Sequence, residues 1–73
     1  MKSKSTRDLV QIIANGGGVE VDASTRSTQD LVQMAAHAGG SGVVLIVTNA
    51  ASKGQADLVQ IAANGKGRVI FRE

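Results

Sequence analysis

The chain has 73 residues, a net charge of +2, one His and neither Cys nor Pro. That length allows one domain with a modest core, marginal unless something staples it, and the lack of Cys removes disulfides and thiolate metal sites. A lone His37 cannot build a zinc site without carboxylates around it, no apolar run approaches the ~20 residues of a membrane span, and the charged N-terminus lacks the apolar stretch of a signal peptide.

Residues Met1 to Lys4 are polar and read as a frayed arm. Ser5 then stands three residues before Asp8, the spacing of a helix N-cap with an acid in the first turn. Leu9, Ile12 and Ile13 follow at i, i+3 and i+4, an apolar helical stripe. Asn15-Gly16 belongs at a left-handed C-cap. Val19 to Asp22 alternates apolar and acidic, which predicts a strand. Ala23-Ser24-Thr25-Arg26 reads as a polar loop.

The pattern then repeats. Ser27 and Asp30 open a second helix with Leu31, Met34 and Ala35 on its stripe, expected to end at Ala38-Gly39. The run from Val43 to Thr48 is continuously apolar, as a central strand covered on both faces would be. A second loop runs from Asn49 to Lys53. Gly54 and Asp57 open a third helix bearing Leu58, Ile61 and Ala62, expected to end at Asn64-Gly65. Arg68 to Arg72 predicts a third strand, apolar inside and basic at its ends. Val10, Val32 and Val59 widen each stripe toward a neighbouring helix, and Gln11, Gln33 and Gln60 fall on the watery side. Phe71 is the single aromatic residue, so the core must be built from Leu, Ile, Val, Met and Ala.

One helix–strand unit is thus written three times, over about 5–22, 27–48 and 54–72, within one domain of residues 1–73. From Ser5 to Ser27 is 22 residues and from Ser27 to Gly54 is 27, periods that belong to repeat architectures. Right-handed crossovers joining strands in the order 1-2-3 put every helix on one face. The expected fold is therefore α/β: a three-stranded parallel sheet under one layer of helices. Order 2-1-3 would send helices to both faces, but it centres the polar first strand and leaves the apolar second on an edge.

This arrangement has a consequence for association. Val19, Val21, Val43, Leu45, Val47, Val69 and Phe71 pack under the helices. Glu20, Asp22, Val44, Ile46, Arg68, Ile70 and Arg72 fall on the uncovered face, with acid on the first strand and base on the third. Two homo-oligomers would relieve the exposure. Face-to-face packing about a twofold axis, the favoured form, buries Val44, Ile46 and Ile70 and lays strand one over strand three. Edge-to-edge pairing of strand three with strand one of the next copy brings Glu20 and Asp22 near Arg68 and Arg72 and gives a ring or a filament.

No enzyme is expected. Gly16-Gly17-Gly18, Gly39 to Gly42 and Gly65-Lys66-Gly67 each lie between a helix and the following strand, the reverse of a phosphate loop's order. His37 has no nucleophile near it in sequence and fits a surface or helix-capping role. No cofactor or metal is indicated. The alternative function is a small binding domain for an anionic ligand or nucleic acid. It would use the loops at the strand C-terminal ends, with Ser24, Arg26, Asn49, Ser52 and Lys53, and the basic arm of Lys2, Lys4 and Arg7. The lack of aromatic stacking residues argues against nucleic acid. Absence of Cys fits a cytoplasmic setting.

Helix–strand repeats with parallel strands resemble a miniature leucine-rich-repeat solenoid of the α/β, ribonuclease-inhibitor-like kind. Leu45-Ile46-Val47-Thr48-Asn49 echoes that family's Leu-x-Leu-x-x-Asn with the Asn one position early, and strands one and three lack the Asn. The unit Asp-Leu-Val-Gln-Ile-Ala-Ala-Asn-Gly, from Asp57 to Gly65, also looks like the repeat of small uncharacterised bacterial proteins. The solenoid resemblance implies a protein-interaction or assembly role.

Overall fold

A computed structural model describes residues 4–73; the part of the basic arm at Met1, Lys2 and Ser3 lies outside the described residues. Helices α1 (Thr6–Ala14), α2 (Thr28–Ser41) and α3 (Gln55–Gly65) alternate with strands β1 (Val19–Asp22), β2 (Leu45–Thr48) and β3 (Val69–Phe71). The strands form one parallel sheet in the order β1-β2-β3. The expected α/β topology is therefore present, with α2 packed between α1 and α3.

Local chemistry explains where each helix begins. The hydroxyls of Ser5 and Ser27 accept from the backbone N–H of Asp8 at 3.1 Å and of Asp30 at 3.2 Å, which satisfies an orphan donor in each first turn. Gly54 has no side chain to do the same, yet holds the same extended conformation (φ −72°, ψ 162°) as the two serines. The helices are too short to stand alone in water. What holds them is the apolar stripe: Leu9, Ile13, Leu31, Met34, Ala35, Ala38 and Ile61 are all fully buried in one core that includes Leu45 and Val47 of the central strand.

Two helix ends differ from expectation. α2 does not stop at Gly39; it runs to Ser41 and caps at Gly42, whose φ of +74° is the left-handed value, with its N–H on the Ala38 carbonyl. Gly39 serves packing instead. A Cβ there would stand 3.0 Å from the Gly65 carbonyl oxygen and 3.2 Å from that of Asn64, so the missing side chain lets the end of α3 pass close to α2. α3 likewise extends through Gly65, which is buried, and the left-handed cap falls on Lys66 at φ +51°. A lysine in that conformation carries a cost on the order of 1 kcal/mol that a glycine would not.

The strand and loop boundaries shift for related reasons. β2 begins at Leu45 rather than Val43, because the Val43 N–H still belongs to the helix end, bonding the Ala38 carbonyl at 3.2 Å. β3 covers Val69–Phe71, although the Arg68 carbonyl and the Arg72 N–H still bond Leu45 and Val47. Each of the two polar loops contains a 3-10 turn, Ala23–Thr25 after β1 and Ala50–Ser52 after β2, each seated by a buried alanine.

The two glycines inside α2 should respond in opposite ways to substitution. Nothing lies within 4 Å of a Cβ at Gly40, so Gly40→Ala should raise stability by about 0.5–1 kcal/mol. Gly39→Val should lower it by about 1–3 kcal/mol by pushing against the α3 carbonyls. Thermal denaturation reads both, at roughly 4–8 °C per kcal/mol for a domain of this size.

Candidate self-association surface

Register places the uncovered face row by row. Glu20, Ile46 and Ile70 lie side by side, and Asp22 lies beside Thr48. Alternation puts Arg68 and Arg72 on the same face of β3 and Val44 just before it on β2. The opposite face carries Val19, Val21, Leu45 and Val47, all buried, with Val69 and Phe71 half-buried on the same core. Helices cover that side alone. Among the described residues, Val44 (36 % exposed), Ile70 (45 %) and Val59 (56 %) are the large apolar side chains left in water, and Ile46 between the first two is half-buried. The strip is flanked by exposed Glu20 on one side and exposed Arg68 and Arg72 on the other.

The residues considered for an anion come together at the carboxyl end of the sheet, where the two 3-10 turns pack side by side. Their polar groups are largely turned on the chain itself. The Ser24 N–H (2.9 Å) and hydroxyl (2.7 Å) and the Asn49 side-chain amide (3.4 Å) all donate to the same oxygen of Asp22, so these donors are engaged by a carboxylate of the chain itself. Asn49 holds a left-handed conformation at φ +56°, which asparagine tolerates better than most residues. Ser52 is exposed in the second turn.

Arg26 and Lys53 have a role that local pattern does not reveal. Arg26 donates from Nη1 to the Thr6 hydroxyl at 2.9 Å and from Nη2 to the Lys4 carbonyl at 2.6 Å. Lys53 donates from Nζ to the Arg26 carbonyl at 2.8 Å. Lys4, Arg26 and Lys53 each stand immediately before a helix N-cap, and each basic side chain of units two and three reaches back one unit to the backbone of its equivalent. The shared position before Ser5, Ser27 and Gly54 was the signal in the sequence.

A second set of equivalent contacts accounts for His37. Asn15 and Asn64 donate their side-chain amides to the Gln11 and Gln60 carbonyls at 2.8 and 2.9 Å. His37 occupies the matching place in α2, with Nδ1 2.9 Å from the Gln33 carbonyl. A carbonyl only accepts, so that nitrogen carries the proton. His37 is thus the unit-two counterpart of two asparagines that close the helix surface. Gln11, Gln33 and Gln60 are all exposed.

No protein-family model matches the chain, and no curated protein and no solved structure matches it. No helix among the described residues is long and apolar enough to cross a membrane.

Replacing Arg26 by Met removes its bonds to the Thr6 hydroxyl and the Lys4 carbonyl, which tie the start of the second unit to the first. The expected result is a loss of about 1.5–3 kcal/mol, the range for a hydrogen bond to a charged group. Amide exchange should localise the loosening to the start of α1. Protection there equal to that of the unaltered chain would show that the bonds contribute nothing to holding the units together.

Proposed function

We propose that this chain is a self-associating structural or protein-interaction module whose sheet face is its docking surface. The observation that carries this reading is the apolar strip of exposed Val44 and Ile70 with half-buried Ile46 between them, on a parallel sheet with helices on its other side alone. Parallel sheets are ordinarily covered on both faces. Complete burial of a side chain such as Ile is worth roughly 1.5–3 kcal/mol, and Ile70 at 45 % exposure leaves much of that ungained.

The favoured occupant is a second copy of the chain, and charge is the argument. A twofold axis parallel to β2, lying between two facing sheets, sets Ile46 near its own equivalent and lays β1 of each copy over β3 of the other. Asp22 then opposes Arg72, and Glu20 lies level with Ile70, diagonally between Arg68 and Arg72, each twice. The resemblance to a miniature repeat solenoid supports the same kind of role, since such proteins act through extended surfaces rather than catalytic clefts.

Ile46→Lys and Ile70→Lys place a charge in the middle of that surface while leaving the helix-side core untouched. Each is expected to weaken association at least about tenfold, read by sedimentation over a range of protein concentrations with circular dichroism as a check on folding. A mass distribution identical to that of the unaltered chain would sink pairing through the sheet face.

A further inference from the structure

The three units are equivalent in sequence but not in burial, and the differences follow one rule. Ile12, Met34 and Ile61 hold the same position in the three helices; Met34 and Ile61 are fully buried while Ile12 is half-buried. Ile13, Ala35 and Ala62 hold the next position; the first two are buried and Ala62 is exposed. Val10 and Val32 pack on the core, whereas Val59 is 56 % exposed. The first position therefore faces the preceding unit, and the other two face the following one. Among the described residues, no helix packs on the outer side of α1 or of α3.

The two ends are consequently matched halves of one contact. Beside Ile12, the outer side of α1 carries a groove lined by Lys4, Asp8, Gln11, Ile12 and Asn15. It is the counterpart of the seat in which α1 rests on α2 and α2 on α3. Val59 and Ala62 on α3 are the counterparts of Val10 and Ile13 on α1 and of Val32 and Ala35 on α2, which pack on the core.

Strand edges match as well. The Arg68 carbonyl and Arg72 N–H bond β2, so Val69 and Phe71 turn their backbone groups outward. The Leu45 N–H bonds β3, so Ile46 faces β1 and lies between Val19 and Val21, which leaves the backbone of Glu20 pointing outward. If the register simply continues, Glu20 of the next copy falls opposite Ile70, between the outward groups of Val69 and Phe71. Its carboxylate then lies diagonally between Arg68 and Arg72. The basic ladder continues too, because Lys4 of the next copy stands where its amine can reach the Lys53 carbonyl, as Lys53 reaches Arg26 and Arg26 reaches Lys4.

We infer that the α3–β3 end of one chain binds the α1–β1 end of a second copy, extending sheet, helix layer and basic ladder in the same register. The contact is heterologous, so it grows into a ring or an open fibre. It is centred on the strand edges and the outer sides of α1 and α3 rather than on the apolar strip, shares with the sheet face only the flanking charges Glu20, Arg68 and Arg72, and is tested separately from it.

Two variants test it. Val59→Glu blocks the α3 end at an exposed position and leaves the α1 end intact; Ile12→Glu does the reverse. Each alone should lose end-to-end growth, with association weakened at least about tenfold, and circular dichroism should match the unaltered chain. Mixed in equal amounts, they should form one additional species of twice the mass of either alone, joining the open end of each. Lys4→Glu, at an exposed side chain, gives a second block of the α1 end should Ile12→Glu fail to fold. The proposal is overturned if the unaltered chain shows no concentration-dependent growth, if Val59→Glu leaves that growth unchanged, or if the mixture is no heavier than its components. A face-to-face pair, being isologous, would persist in each variant alone and would gain nothing on mixing.

Discussion

A helix–strand unit of this size cannot bury its own apolar stripe; its burial is supplied by the units on either side. The central unit shows the effect most fully. Leu31, Met34, Ala35 and Ala38 of α2 are completely buried, and so are Leu45 and Val47 beneath them. In α3, at the end of the row, Leu58 is half-buried although its equivalents Leu9 and Leu31 are fully covered. With small apolar residues and one aromatic, the chain has no large anchor to substitute for a missing neighbour. Repetition takes the place of a bulky core.

Much of this was legible in the sequence because the determinants are local. Serine, three residues and aspartate mark two helix starts, and the alternation from Val19 to Asp22 marks the first strand with its bounds. The continuous apolar run before Thr48 identifies the middle strand and, through it, the strand order. The uncovered face follows from period-two alternation, and Val44, Ile46 and Ile70 fall where alternation puts them.

What escaped reading depends on contacts between units. A glycine that ends a helix and a glycine that lets another helix approach are the same letter, so Gly39 resembled a cap although the carbonyls of Asn64 and Gly65 explain it. Lys66 resembled a loop residue because lysine rarely adopts a left-handed conformation. Arg26 and Lys53 resembled anion ligands because their targets, the Lys4 and Arg26 backbones, are 22 and 27 residues away. Val59 resembled an ordinary stripe residue; among the described residues no helix packs on the side of α3 that carries it.

Substantial contacts join each unit to itself or to the adjacent one, with α2 and β2 touching both flanks. This nearest-neighbour wiring bears on how the chain reaches its fold. Every important closure spans about one repeat, so the entropy lost in forming each is similar along the row rather than growing with the length of the chain. The middle unit is the natural nucleus, since each flank can condense on it separately. Lesions in α2 or β2 should therefore slow folding itself, whereas lesions in the outer halves of α1 and α3 should mainly hasten unraveling from the ends.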